Sequence, residues 1–180
     1  MGERYEECEE CGFDADSLSP TDTTAALRAF PRRYRAPLTR FLPGEDGDAV
    51  VRRKPDASTW SALEYACHVR DVFEVYSVRV NRTLEEDTPT LESMGRDERA
   101  ARDSYNEQDP GTVADQLAAN AEALAGLLDG IAAVDWERTA IHPYPAPAPR
   151  SILWMARHVA HEGSHHLLDI GRVLRSVREK

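Results

Sequence analysis

Four of the six histidines in the chain lie within nine consecutive residues near its carboxyl end: His158, His161, His165 and His166. If this segment is helical, His158, His161 and His165 share one face and His166 is turned by about 100° from it. Neutral imidazole nitrogen is a common ligand of zinc, nickel and other transition metals. The HxxxH pair His161 and His165 therefore predicts part of a metal site, although histidines at this spacing also occur on solvated helix faces without a metal.

The residues between these histidines complete the spelling of the zinc-binding motif HExxH. Glu162 follows His161 directly, and His165 comes three residues after the glutamate. A third ligand must come from another part of the chain.

A second candidate segment lies at residues 58–76, where Ser61 and Glu64 have the spacing of a helix-capping box. On the predicted helix His68 lies close to two carboxylates, Glu64 and Asp71, which could orient its ring. A single histidine on such a face is more often structural, and the two carboxylates are equally typical of surface ion pairs.

The amino-terminal residues contain Cys8 and Cys11 in a CxxC motif followed by Gly12. Such a turn brings two thiolates to one ion, but a structural zinc site needs four ligands and the chain has no second CxxC. His142 is one candidate for a further ligand. A redox pair, a disulfide and two unused thiols are the alternatives.

Four long helices are predicted to position these residues. Pro31 and Pro37 are expected to break or kink the first helix near Phe30, because proline lacks the backbone N–H and collides with the preceding turn. The predicted helices begin near residues 22, 59, 113 and 150. Residues 45–57 are predicted as an extended connection, 85–110 as a long charged connection with a short helix at 96–105, and 134–149 as a proline-rich extended linker.

Composition limits the class of protein. The 180 residues contain 41% hydrophobic and 30% charged residues, which is ordinary for one globular domain. A net charge of -10 argues against binding nucleic acid. No apolar run reaches the roughly 20 residues that cross a bilayer, and the first residues do not form a signal peptide, so we expect a cytoplasmic protein that does not bind membranes. Only two lysines accompany many arginines, a usage typical of actinobacteria.

The segment from Trp60 to Asp71 resembles the WSxxEhxxHlxD signature of the DinB and YfiT superfamily of metal-binding four-helix bundles. The segment His161–His166 resembles the HxxxH of that superfamily's last helix. The resemblance covers roughly residues 21–178. It implies an all-α, DinB-like four-helix bundle over residues 21–180 with a long crossover between helices 2 and 3, preceded by an acidic segment, residues 1–20, that carries the CxxC.

The resemblance also implies a function. It predicts a divalent metal, with zinc expected and nickel as the alternative, held by His68, His161 and His165 with positions left open for other ligands. In relatives of the maleylpyruvate isomerase type, the metal activates the thiol mycothiol for attack on an electrophile. The chain is thus expected to be a thiol S-transferase or isomerase that acts on a small electrophile, although no further catalytic residue is identified.

Other predictions concern the surroundings of the site and the partners. Glu64, Asp71 and His158 are expected near the metal, and Tyr105 from the crossover is expected to line the pocket. Bundles of this kind often pair, so a homodimer is considered. One alternative to a thiol transferase is a metal-dependent hydrolase. The other is a non-catalytic metal-binding protein or a redox or stress sensor, and the CxxC of Cys8 and Cys11 would suit a sensor.

Overall fold

The computed structural model describes residues 7–179, most of which are helical. The helices are α1 (Pro20–Thr39), α2 (Gly47–Arg52), α3 (Ala62–Glu85), α4 (Arg96–Arg102), α5 (Pro110–Asp129) and α6 (Ile152–Arg178). Single 3₁₀ turns lie at Tyr105–Glu107 and Asp135–Glu137. An antiparallel hairpin joins β1 (Thr139–His142) to β2 (Ala148–Ser151).

Helices α1, α3, α5 and α6 form a four-helix bundle. Helix α5 packs against α1 and α3, and α6 packs against the same two helices. One apolar core lies between the four helices and is built largely of leucine, valine, alanine and aromatic side chains. The predicted four-helix bundle is therefore confirmed, and residues 86–109 form the predicted crossover between its second and third helices.

The helix starts follow local capping chemistry. The Ser61 hydroxyl accepts the N–H of Glu64, and the Glu64 carboxylate accepts the N–H of Ser61, as the capping-box pattern predicted. The Ser151 hydroxyl accepts the N–H of Trp154 and begins α6. These two caps fix where the histidine-bearing helices begin.

The first helix was predicted to break or kink near Phe30, and it does not break, since α1 continues through Pro31 and Pro37. Leu27, Phe30 and Tyr34 are fully buried along one face of α1, and their packing outweighs the hydrogen bond that each proline removes. The predicted extended connection at 45–57 is also wrong in part, because α2 forms there. Val50 and Val51 of α2 are buried against the bundle, which stabilises this short helix.

Helix α6 approaches α1 closely at Gly163. A Cβ atom added to Gly163 would lie 2.5 Å from Cε2 of Phe30, far inside van der Waals contact. The Tyr34 hydroxyl donates a hydrogen bond of 2.8 Å to the Gly163 carbonyl. The glycine therefore lets the histidine-rich part of α6 pack directly on α1.

The crossover and the hairpin are joined by backbone hydrogen bonds. The N–H of Leu91 donates to the Ile141 carbonyl, and the N–H of Ile141 donates to the Pro89 carbonyl, each at 2.9 Å. The hairpin lies in the segment predicted as an extended linker. Within residues 7–179, none of the helices has the length and apolar character needed to cross a membrane.

Candidate metal centre

The central site consists of His68 from α3 and of Glu162 and His166 from α6. One ligand atom of each lies within 4.8 Å of the other two. Oε2 of Glu162 lies 3.5 Å from Nε2 of His68 and 3.4 Å from Nε2 of His166. His68 and His166 are buried, and Glu162 is largely buried. Two imidazoles and a carboxylate form a donor set that binds zinc and other divalent transition metals.

Neighbouring groups fix the orientation of these ligands. Nδ1 of His166 lies 2.9 Å from Oδ2 of Asp169, so its proton is donated to that carboxylate and Nε2 is left to face Glu162. The Tyr65 ring packs against His166, and the Trp60 ring meets His68 edge to face. Among the described residues Nδ1 of His68 has no hydrogen-bond partner, so no protein acceptor fixes its tautomer.

The electrostatics of the central site favour a cation. Burial by itself would raise the pKa of Glu162, but His166 and His68 hold that pKa well below its usual value. Burial would lower the pKa of His166, yet Asp169 and Glu162 raise it to about 9. Burial lowers the pKa of His68, which keeps a neutral imidazole that can donate a lone pair. The site thus supplies the ionised Glu162 carboxylate, with the Asp169 carboxylate beside it. These negative charges suit a divalent metal ion.

The structure divides the predicted ligands His68, His161 and His165 between two groups. His161 and His165 lie together, with ring centroids 5.3 Å apart, and their ligand atoms group with those of Cys8 and Cys11. His68 groups with Glu162 and His166 instead. Glu162 follows His161 by one position and His166 follows His165 by one position, which turns each about 100° around α6. That rotation points Glu162 and His166 toward α3, where His68 lies.

The two further candidate ligands, Glu162 and His166, also carried a signal in the sequence. Glu162 and His166 are four residues apart, like His161 and His165, and so they also share a helix face. Only the rotation of α6 about its axis decides which pair faces His68. A further group of ligand atoms, from His158, His161 and Glu162, links the two sites along the helix.

The structure places two of the predicted neighbours of the metal elsewhere. Glu64 caps α3 and lies 2.8 Å from Nζ of Lys54. Asp71 accepts hydrogen bonds from Nε of Arg70 at 2.7 Å and from the Tyr105 hydroxyl at 2.6 Å. None of Glu64, Asp71 and Tyr105 is among the residues that line the cavity at the central site. Asp71 joins α3 to the crossover through Tyr105, and Glu64 joins the start of α3 to Lys54, which follows α2.

His158 and His142 lie beside that cavity. The His158 ring stacks on Trp154 with an interplanar angle of 7°, and its Nε2 lies 3.7 Å from Oε1 of Glu162. One interpretation of the sequence made His142 a further ligand beside Cys8 and Cys11, but the structure does not group it with them. Its Nε2 lies 2.9 Å from the Tyr76 hydroxyl and 3.2 Å from a guanidinium nitrogen of Arg79.

The central site opens into a cavity of about 560 Å³. Its walls come from α3, α6, the crossover at residues 93–96, the hairpin at residues 142–144 and the amino-terminal segment at Cys8 and Glu10. Two cationic side chains, Arg79 and Arg96, are among its lining residues. A cavity of this size with a few convergent polar groups is typical of a small-molecule site.

Comparison with known proteins settles the family. The sequence model of the DinB superfamily matches residues 21–170. The chain belongs to the DinB superfamily. Among solved structures, this DinB-superfamily protein is similar to YfiT from Bacillus subtilis, described as "a probable metal-dependent hydrolase with an unusual four-helix bundle topology". The match has a TM-score of 0.78 at 16% identity and covers 97% of this chain and 94% of YfiT, which shows the shared fold. No curated protein matches the sequence.

Proposed function

We propose that this DinB-superfamily protein is a divalent-metal-dependent enzyme that transfers or adds a small thiol, of the mycothiol type, to a small electrophile. The observation that carries the proposal is the central site, in which His68, Glu162 and His166 converge beside a cavity. Three protein ligands leave coordination positions for a reactant, as in catalytic rather than structural metal sites. Zinc is the expected metal and nickel the alternative.

The chemistry proposed for the central site is thiol activation. A divalent cation held there would lower the pKa of a coordinated thiol and so supply a nucleophile at neutral pH. The thiol proton would pass to solvent, and the sulfur would form a C–S bond with the electrophilic carbon. In a transfer, a leaving group would depart with its bonding electron pair. In an isomerisation, the π electrons of the attacked double bond would shift to a neighbouring atom and return when the same C–S bond breaks, which would release the thiolate and the isomer.

The protein's own residues have distinct tasks in this proposal. Asp169 holds the His166 ring with Nε2 toward the cavity, and the Trp60 ring covers one side of His68. Arg79 and Arg96 give the cavity a positive wall, which would attract a carboxylate on the thiol or on the electrophile. The preference for a thiol is supported by the resemblance of the two sequence signatures to mycothiol-dependent relatives. That the protein acts in the cytoplasm and binds neither nucleic acid nor membranes remains a prediction.

The decisive variant is Glu162→Gln, which removes a ligand charge with almost no change in volume. The zinc-loaded or nickel-loaded protein is mixed with mycothiol, glutathione, cysteine or coenzyme A and with a chromogenic electrophile. We expect thiol transfer by the unchanged protein and a loss of about 100-fold or more in Glu162→Gln, because even partners outside the coordination sphere are worth 10- to 100-fold.

The matched control is Glu74→Gln, which makes the same chemical change at an exposed position of α3 outside the cavity and should leave the rate unchanged. A metal-loaded protein that turns over no thiol would overturn the proposal. Ester or amide hydrolysis without any thiol would then assign the same site to the hydrolase class given for YfiT. Metal binding without either reaction would favour a sensor.

A further inference from the structure

Four potential metal ligands that the central site does not use lie together beside it. Cys8 and Cys11 precede α1, and His161 and His165 lie on α6. One ligand atom from each of the four lies within 4.8 Å of all the others. Residues about 150 positions apart in the chain thus present two sulfur and two nitrogen donors to one point.

The backbone around the cysteines forms a tight turn that brings the two thiols together. The N–H of Gly12 donates a hydrogen bond of 2.7 Å to the Cys8 carbonyl, and the N–H of Cys8 donates one of 3.2 Å to the Phe13 carbonyl. Gly12 has a φ of +67°, in the left-handed region that glycine adopts without strain. Both cysteines are free thiols in the structure, so the turn exists without a disulfide.

The separation of the donors agrees with a shared tetrahedral ion. Zinc bonds of about 2.3 Å to sulfur and about 2.0–2.1 Å to nitrogen, at a tetrahedral angle, place the two donor atoms about 3.6 Å apart. Sγ of Cys8 lies 3.5 Å from Nδ1 of His165. The pair therefore already has the separation of one edge of a zinc tetrahedron.

The opposite side of the His165 ring faces carboxylates, as is usual for a metal-bound histidine. Its Nε2 lies 3.6 Å from Oδ2 of Asp169 and 3.6 Å from Oε2 of Glu10. Both distances exceed that of a hydrogen bond, but the two negative charges favour the proton on Nε2 and so leave Nδ1 with its lone pair toward Cys8. The second histidine ligand is also packed, since the Phe13 ring lies 5.6 Å from the His161 ring.

Contacts outside the four ligands hold the amino-terminal segment against α6. The Arg157 guanidinium donates to the Leu18 carbonyl at 3.0 Å and to the Asp16 carbonyl at 2.9 Å, and it forms an ion pair with the Asp16 carboxylate. Ala15 is fully buried. The cysteine turn is therefore positioned on the helix by interactions that do not depend on the thiols.

We propose that Cys8, Cys11, His161 and His165 form a second metal site, a structural Cys₂His₂ zinc site, which we call the cysteine–histidine site. Its four protein ligands fill a tetrahedron and leave no position for substrate, in contrast to the three ligands of the central site. The two sites share no ligand, so each can be lost without removing a donor from the other. The ion would join the amino-terminal segment to α6 across nearly the whole length of the chain.

Cobalt(II) distinguishes this site from the central one, because only the cysteine–histidine site contains sulfur. The full-length protein is freed of metal under reducing conditions and titrated with Co²⁺. We expect a thiolate-to-cobalt charge-transfer band in the near ultraviolet, together with the strong visible bands of tetrahedral cobalt. Glu162→Gln should keep the charge-transfer band, and Cys8→Ser should abolish it.

Cys67→Ala is the matched control, since this third cysteine is buried beside the crossover, where its thiol contacts the Tyr105 carbonyl. It should leave the charge-transfer band unchanged. A wild-type protein without the band, or a band that survives in the Cys8→Ser, Cys11→Ser double variant, would overturn the proposal.

Alkylation gives a second measurement that needs no variant. Trypsin releases Cys8 and Cys11 in one peptide, because neither lysine nor arginine lies between Arg4 and Arg28, and it releases Cys67 in a separate peptide that ends at Arg70. Zinc should protect Cys8 and Cys11 from iodoacetamide by at least tenfold in rate, and a chelator should remove the protection. Equal alkylation with and without zinc, or an oxidised Cys8–Cys11 pair that zinc does not prevent, would contradict the assignment.

Discussion

At the scale of single residues, the buried surroundings of His142 determine its protonation state. Arg79 always carries its protons, so the Nε2 of His142 that it contacts accepts, and Nδ1 lies 3.1 Å from the carbonyl oxygen and 3.2 Å from the backbone nitrogen of Tyr144. Burial, helped by the positive charge of Arg79, lowers the pKa of His142 to about 4. The folded protein therefore holds this residue neutral at a pH where an unfolded chain would protonate it.

This difference predicts a pH dependence of folding. Between the unfolded pKa of about 6.5 and the folded pKa, the unfolded state binds one more proton at His142, so stability falls as pH is lowered. The contribution is at most about 1.4 kcal/mol per pH unit for one proton. His142→Gln keeps an acceptor for Arg79 but cannot be protonated in this range.

The measurement is the free energy of unfolding of the metal-free protein from pH 7 to pH 4.5. The His142→Gln variant should lose less stability over this range than the unchanged protein. His158, whose pKa burial also lowers to about 4, is present in both proteins, so the comparison reports the proton at His142 together with its repulsion by His158. Identical slopes would show that His142 is already protonated in the fold.

At the scale of elements, the position of α6 depends on one contact with α1. Gly163→Ala places a Cβ atom 2.5 Å from the Phe30 ring, so the helices must separate or the ring must move. We expect a loss of about 1–3 kcal/mol in the free energy of unfolding, as for other overpacked cores. Urea denaturation monitored by circular dichroism measures it.

The same helix supplies the control. A Cβ atom added to Gly171 meets nothing within 4 Å, so Gly171→Ala should be neutral or stabilise the protein by about 0.5–1 kcal/mol through helix propensity. Equal effects of the two substitutions would show that the contact with Phe30 does not limit the approach of α6. Metal affinity of the central site should fall only in Gly163→Ala.

The elements were largely predictable from the sequence, and the choice of ligands was not. Ser61 and Glu64 fixed the start of α3, and helical spacing identified the metal-binding segment of α6. Whether His161 or Glu162 meets His68 depends on a rotation of α6 of about 100°. Tertiary packing, including that of Gly163 on Phe30, sets this rotation, and no local pattern encodes it.

The grouping of Cys8 and Cys11 with His161 and His165 could not be predicted from the sequence either. Each pair was visible in the sequence as half of a site, but only the return of the amino-terminal segment to α6 brings the halves together. The arginine that anchors this return, Arg157, has no motif around it. The sequence interpretation consequently considered His142 as a partner for the cysteines.

At the scale of the whole molecule, metal should stabilise the fold through mass action. A ligand that binds only the folded state adds about 2.7 kcal/mol at a free concentration 100 times its Kd. With two sites we expect the unfolding temperature to rise with free zinc more steeply in the unchanged protein than in the Cys8→Ser, Cys11→Ser double variant. Differential scanning fluorimetry in zinc buffers measures both curves. Coincident curves would show that only one site binds.

One carboxylate belongs to the surroundings of both centres. Oδ2 of Asp169 lies 2.9 Å from Nδ1 of His166 and 3.6 Å from Nε2 of His165. An ion at either centre would make the attached imidazole proton more acidic and draw this oxygen toward it. The metal affinities of the two sites would then be thermodynamically linked. Filling the central site would change the affinity of the cysteine–histidine site by the same factor by which filling the cysteine–histidine site changes that of the central site. Asp169 would thereby couple the metal affinity of the central site to the attachment of Cys8 and Cys11 to α6.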